Sequence, residues 1–195
     1  GKTRLLEEFL NQLDPANGFQ IVTVRCLSYG QTLTYWPLRG LLIGLLGEDI
    51  SRTRIANVFI QGGYEQDCAF ESAELVLTAL GVEGERVTDR ESIFAGWRLL
   101  IEILARQVPR VIVFEDLHWA SDSLLDMVEY IIHLRTQASL LLITLSRPEL
   151  LDRRPSWGGG RQNFTVLALQ PLTTKQTHDL VARLAQEMPE GLRTT

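Results

Sequence analysis

The segment from Val111 to Ser121, VIVFEDLHWAS, constrains the fold of this chain more than any other. Its first four residues are apolar without a break, a pattern typical of a strand buried on both faces of a parallel sheet. Glu115 and Asp116 follow directly. Ligands bind beyond the carboxyl ends of the strands in such sheets. Two adjacent carboxylates are costly there unless a cation or a catalytic task requires both. The segment therefore predicts a parallel sheet with an acidic site at its carboxyl edge.

A second signal is the triplet Gly1-Lys2-Thr3, which opens an amphipathic helix. The triplet matches the end of the phosphate-binding pattern G-x-x-x-x-G-K-[ST]. In that pattern backbone N–H groups cradle phosphates, the lysine reaches the β and γ oxygens, and the hydroxyl binds Mg²⁺. Three residues are a weak signal alone, because such triplets are common by chance. Together with the paired acids they predict a site for a nucleoside triphosphate and Mg²⁺.

The remaining pattern alternates between strands and helices. Apolar and β-branched runs predict four strands, at Phe19–Cys26, Val111–Phe114, Ser139–Leu145 and Phe164–Leu169. Helical spacing predicts helices near residues 2–13, 37–46, 72–80, 92–107, 122–132 and 173–184. Residues 48–88 read as short helices and turns to which no role is assigned. The alternation predicts a doubly wound, mostly parallel α/β sheet.

Composition excludes several functional classes. The chain has 195 residues and a net charge of −5, so it lacks the basic surface typical of proteins that bind nucleic acid or anionic lipid. No apolar run approaches the roughly 20 residues that a membrane span requires. Cys26 and Cys68 lack a metal-ligand spacing, which indicates a reduced, cytoplasmic protein.

Three chemical features are expected at one edge of the predicted sheet. They are Lys2-Thr3, the acid pair Glu115-Asp116, and Arg147 after the third strand. Phosphoryl transfer uses such groups to neutralise phosphate charge, hold Mg²⁺ and orient water. Each also has an ordinary structural explanation, since paired acids can cap a helix and Arg147 can pair with a surface carboxylate. We interpret His118 as a hydrogen-bonded core histidine and Trp119 as a packing residue. Only the combination of the three features favours a nucleotide site.

The chain also resembles the P-loop ATPase modules of the STAND class, within the wider AAA-like ATPases. The matching stretches are GKTRLLEEF, RCLSYGQTLTYWPL, VIVFEDLHWASDSLLD, LLLITLSRPELLDRRPSWGGG and LALQPLT. The resemblance is greatest to modules of large bacterial signalling proteins, both cyclase-associated proteins and transcription regulators. It implies ATP and Mg²⁺ as ligands and slow hydrolysis that drives a conformational switch.

The resemblance also implies roles for individual residues. It places nucleotide contacts at Gly1, Lys2, Thr3 and Arg4. Thr3 and Glu115 would hold Mg²⁺, Asp116 would activate water, and Arg147 would sense the γ-phosphate. Two departures from the family pattern stand out: the first acid is the longer Glu, and the first five residues of the phosphate loop are not in this sequence.

The expected organisation is an ATPase core over residues 1–172 followed by the start of a helical lid over 173–195. We expect the core to lack its first strand and the start of the phosphate loop, and the segment to be inactive when isolated. Expected partners are the nucleotide, other domains of a longer chain (cyclase, DNA-binding or helical-repeat domains) and further copies of the chain in a nucleotide-dependent assembly. We expect no direct binding to nucleic acid or membrane.

Two alternatives stay open: an inactive scaffold for protein interaction or sensing, and a remodelling motor, which would need an arginine finger that the sequence does not reveal.

Overall fold

The computed structural model describes residues 1–13, 18–28, 35–81, 89–132, 138–159 and 163–187. Its three strands are β1 (Gln20–Arg25), β2 (Arg110–Glu115) and β3 (Leu140–Thr144). Its helices are α1 (Lys2–Gln12), α2 (Trp36–Leu46), α3 (Arg52–Gln61), α4 (Gln66–Thr78), α5 (Arg90–Gln107), α6 (Asp122–Ile132), α7 (Glu149–Arg153) and α8 (Thr174–Glu187). A 3₁₀ turn, Leu117–Trp119, follows β2.

The chain divides into two compact units. One spans Thr3–Trp157 and contains the sheet, and the other combines Gly1–Lys2 with Gly158–Thr195. The predicted boundary between a core and a lid at residue 172 stays a prediction.

The sheet has the order β1-β2-β3, and both strand pairs are parallel. All six residues of β2 are buried, as the unbroken apolar run predicts for a central strand. β3 is less buried, and Leu141 is 43% exposed, because β3 lies at an edge of the sheet. The predicted α/β fold with a parallel sheet is confirmed.

Helices cover both faces of the sheet. Leu6 of α1 packs against Val111 and Val113 of β2. On α2, Gly44 lies against Val22, whose register partner in β2 is Ile112. Because successive side chains of a strand point to opposite faces, α1 and α2 lie on opposite sides of the sheet. The arrangement is therefore doubly wound.

Several helix ends follow from local sequence. Pro37 lies in the first turn of α2, and Gly47 ends that helix with φ 89°. The Ser121 hydroxyl accepts a hydrogen bond from the Leu124 N–H at 3.2 Å and so caps the start of α6. Within residues 48–88, the described helices are α3 and α4, which fits the predicted short helices.

One predicted strand is wrong. Residues 164–173 form neither helix nor strand, and Val166 and Leu167 are 62% and 75% exposed. The apolar pattern at Phe164–Leu169 suits a strand, but backbone groups form a ladder only when a neighbouring strand supplies partners. No described strand pairs with this segment.

Candidate functional site

The carboxyl ends of β1 and β2 carry an ion pair. The parallel register aligns Arg25, the last residue of β1, with Glu115, the last residue of β2. The Arg25 Nε and Nη2 atoms donate hydrogen bonds to Glu115 Oε2 at 3.1 and 2.8 Å. The Glu115 side chain is 11% exposed and the Arg25 side chain is 58% exposed. A nearly buried carboxylate is thus balanced by an arginine that solvent still reaches.

Sequence reasoning missed Arg25. Its position in the sequence could have identified it. Arg25 stands near the carboxyl end of the predicted first strand, and in a parallel sheet that end lies at the same edge as the paired acids. Its partner is far away in sequence, and only the strand register brings the two side chains together.

Asp116 differs from Glu115 in backbone and in environment. Its φ of 54° and ψ of 38° place it in the left-handed region, and it is the one non-glycine residue with positive φ in the described ranges. Aspartate tolerates this region better than most residues. The side chain is 46% exposed, and its Oδ2 atom lies 3.7 Å from Arg25 Nε. The sharp turn therefore gives the two acids different surroundings, one paired and buried, the other open to solvent.

Cys26 borders the acid pair. Its backbone N–H donates to the Glu115 carbonyl oxygen at 3.0 Å, and its side chain is 2% exposed. Burial, and next the negative charge of Asp116, raise the pKa of the Cys26 thiol to about 12. The thiol stays protonated at neutral pH, so Cys26 is not a nucleophile here.

Arg147 lies beyond the end of β3, exposed to solvent. No described residue forms an ion pair with its guanidinium group, although several other arginines in the described ranges are paired. It borders an open pocket of about 450 Å³. The pocket is lined by His118, Trp119, Arg147, Glu149 and Arg153. Because the lining comes from the segments that follow β2 and β3, the pocket opens at the carboxyl edge of the sheet.

The side chains of His118 and Trp119 contact each other. Their ring centroids lie 4.9 Å apart with an interplanar angle of 41°. His118 is 8% exposed and Trp119 is 36% exposed. His118 is therefore a buried residue, and its predicted role as a hydrogen-bonded core histidine stays a prediction. Trp119 is exposed and lines the pocket.

Thr3 lies in the first turn of α1, and this helix packs against β2 through Leu6. Thr3 belongs to the same compact unit as the acid pair and Arg147.

The other predicted amino-terminal residues are also located. Lys2 is the first residue of α1, Gly1 precedes it, and both are exposed. Arg4 pairs with Glu8 at 2.5 Å along the helix surface. The first turn of α1 holds no acidic residue, which leaves its N–H groups suited to an anion.

The oxygen donors among these residues suit Mg²⁺. It prefers oxygen ligands and is held in nucleotide sites by one or two carboxylates together with phosphate oxygens. The Thr3 hydroxyl and the Glu115 carboxylate are such donors, and both Arg25 bonds fall on Oε2, so Oε1 accepts none of them. No cluster of three or more potential metal-binding His, Cys, Asp or Glu residues occurs in the described part of the chain. A cation here would need the nucleotide to complete its ligands.

Comparison with known proteins identifies the family. The family model for the AAA ATPase domain matches residues 1–143, which is most of the chain. The chain belongs to the AAA ATPase domain family. The match covers the amino-terminal triplet and the acid pair of this AAA ATPase domain but ends before Arg147.

A curated relative extends beyond that range. An uncharacterized protein of Rhizobium meliloti (strain 1021) is 26% identical over 188 residues, which is 91% of this chain and 18% of the relative. The chain thus spans about a fifth of the length of this relative. No solved structure matches the chain. No described helix is long and apolar enough to cross a membrane. The expected AAA-like ATPase module is confirmed, while the STAND class and the link to cyclases stay predictions.

Proposed function

We propose that this AAA ATPase domain binds ATP with Mg²⁺, hydrolyses it slowly, and acts as a regulatory switch within a longer cytoplasmic protein. The observation that carries the proposal is the acid pair at the carboxyl end of β2, followed by a turn that lines a pocket together with Arg147. Thr3 belongs to the same compact unit. Membership of the AAA ATPase domain family supports it independently.

Each residue of the site has a proposed role. The Lys2 ammonium would neutralise charge on the β- and γ-phosphates. Thr3 and Glu115 would hold Mg²⁺, which supplies charge stabilisation between the phosphate oxygens when bound. Arg25 would hold the Glu115 carboxylate in place through its two hydrogen bonds to Oε2.

Asp116 is the proposed general base. Its carboxylate is half exposed and 3.7 Å from the nearest arginine nitrogen, so it has room to accept a proton from water. Arg147 would contact the γ-phosphate, since it is exposed at the pocket and forms no ion pair with a described residue. ATP and ADP would then differ in their contact with Arg147, which is the basis of a switch.

Two variants of the longer protein that contains this domain test these roles, and that longer protein without substitutions is the unmodified protein. Asp116→Asn should keep ATP affinity within about twofold and slow phosphate release by about 100-fold or more, because a carboxamide cannot accept the proton. Lys2→Ala should instead abolish ATP binding measured by isothermal titration with Mg²⁺. Asp67→Asn, at an exposed position in the first turn of α4, is the matched control and should match the unmodified protein. Normal turnover by Asp116→Asn would remove Asp116 from the base role.

The Arg25–Glu115 pair favours a second candidate function. One of the two acids is already engaged by an arginine, as expected for a domain that binds nucleotide without hydrolysing it and serves as an interaction scaffold. If the unmodified protein binds ATP but releases no phosphate above the level of Asp116→Asn, the scaffold function is the correct one. The domains joined to this one, and any nucleotide-dependent self-association, are proposed partners.

A further inference from the structure

Two of the three arginines of the RPELLDRRP segment, Arg153 and Arg154, bind the structure that follows the acid pair, and both contact the Asp122 carboxylate. Arg153, the last residue of α7, contacts the loop after β2. Its Nη1 atom donates to the His118 carbonyl oxygen at 3.0 Å, and its Nη2 atom donates to the Ala120 carbonyl oxygen at 3.2 Å. Nη2 also lies 3.1 Å from Asp122 Oδ1. One guanidinium group thus joins the 3₁₀ turn to the start of α6.

This contact requires the geometry of arginine. The guanidinium group presents several N–H donors in a rigid plane, whereas the lysine ammonium is a compact charge on a flexible stem. The Arg153 guanidinium group can therefore reach the carbonyl oxygens of both His118 and Ala120, which are separated by one residue. The distances of 3.0 and 3.2 Å fit such a paired contact.

The opposite end of the same turn is attached to the sheet. The Leu117 N–H donates to the Leu145 carbonyl oxygen at 2.9 Å. Within the turn, the Trp119 N–H donates to the Asp116 carbonyl oxygen at 2.9 Å. The turn that holds Asp116 in its left-handed conformation is therefore fixed by β3 on one side and by Arg153 on the other.

Arg154 shares Asp122 Oδ1 with Arg153, at 3.1 Å, but its other contacts differ. Its Nη1 atom donates to Asp126 Oδ1 at 2.6 Å, and its Nη2 atom donates to the Asp122 carbonyl oxygen at 3.1 Å. Asp126 also pairs with Arg90 of α5. These bonds join α7 to α6 without touching the 3₁₀ turn. Arg154 is therefore a natural control for Arg153.

We propose that Arg153 is a positioning residue for Asp116, acting through the carbonyl groups of the 3₁₀ turn. The inference rests on the proposed base role of Asp116 and adds the hydrogen bonds that hold the turn containing this residue. α7 starts two residues after Arg147, and the Leu150 N–H donates to the Arg147 carbonyl oxygen at 3.1 Å. Arg147 therefore directly precedes the short helix that ends at Arg153. The RPELLDRRP segment thus has a specific task at the nucleotide edge.

The test compares Arg153→Gln, Arg153→Lys and Arg154→Gln in the longer protein that contains this domain. Arg153→Gln should lower the rate of ATP hydrolysis by about tenfold or more, since small misplacements of a reacting group are costly. Its ATP affinity should fall by a smaller factor than its hydrolysis rate, because the Arg153 guanidinium group is engaged by the His118 and Ala120 carbonyl oxygens. Arg153→Lys should be intermediate. Arg154→Gln should lower the melting temperature while keeping the hydrolysis rate.

Hydrogen–deuterium exchange provides a readout that does not depend on hydrolysis. The Trp119 and Ala120 amides should exchange faster in Arg153→Gln than in Arg154→Gln, because only the former frees the turn. Unchanged exchange of these amides overturns the positioning role. Equal loss of turnover in Arg153→Gln and Arg154→Gln would also overturn it, since that result marks a general loss of stability. If the unmodified protein has no turnover, the proposed function fails, and the exchange result still decides whether Arg153 holds the turn. Should Arg153→Gln fail to fold, Arg153→Lys gives the same comparison.

Discussion

Replacing Arg25 by glutamine should remove the counter-ion of a nearly buried carboxylate. The change deletes two hydrogen bonds to Glu115 Oε2, of 3.1 and 2.8 Å, and leaves Glu115 with 11% of its side chain in contact with solvent. The remaining charge can gain little hydration there. We therefore expect the substitution to lower the free energy of unfolding, because the Glu115 charge is left without its partner.

The magnitude follows from the burial of the two partners. Hydrogen bonds to charged groups contribute about 1.5–3 kcal/mol each to stability. Arg25 is 58% exposed, and solvent screening reduces ion pairs with such exposure, so a coupling free energy of about 1–2 kcal/mol is expected.

A double-mutant cycle isolates this coupling. Arg25→Gln, Glu115→Gln and the double variant are compared with the unmodified protein by equilibrium urea unfolding. Glutamine at position 115 carries no charge. Arg25→Gln should therefore lower the free energy of unfolding much less in the Glu115→Gln background than in the unmodified protein. The control cycle uses Arg4 and Glu8, which lie 2.5 Å apart with 74% and 50% exposure. That pair should couple by only about 0.2–0.5 kcal/mol.

A coupling between Arg25 and Glu115 no larger than that of the control pair would refute the reasoning. It would mean that solvent balances the Glu115 charge despite its burial. The proposed use of Arg25 to hold the Glu115 carboxylate would then lose its basis.

Two further predictions concern the ligand contact and the packing. Arg147→Ala should weaken ATP binding more than ADP binding in isothermal titration, and equal losses would return Arg147 to a surface role. Gly44→Ala should destabilise the fold by about 1–3 kcal/mol, because an added Cβ would lie 2.4 Å from Val22 Cγ1. Gly40→Ala in the same helix meets no atom within 4 Å and should stabilise by about 0.5–1 kcal/mol in thermal unfolding; a loss of stability in Gly40→Ala would show that α2 is strained for another reason.

Local sequence predicted much of this domain. The apolar run before Glu115 predicted a central strand because a strand buried on both faces needs no polar residues. Pro37 and Gly47 bounded α2 because the first cannot donate a backbone hydrogen bond and the second adopts positive φ at no steric cost. The edge position of the acid pair followed from strand direction alone.

Tertiary structure decided the features that depend on residues distant in sequence. The apolar segment Phe164–Leu169 carries a strand pattern, yet it forms no strand, since pairing depends on a neighbour that its own side chains cannot specify. Arg25 meets Glu115 only through the register of two parallel strands. Arg153 reaches the His118 and Ala120 carbonyl groups only because α7 lies beside the turn after β2. Local sequence therefore determined where chemical groups stand along each element, and the packing of those elements determined which groups are paired, which are open to solvent, and how Asp116 is held.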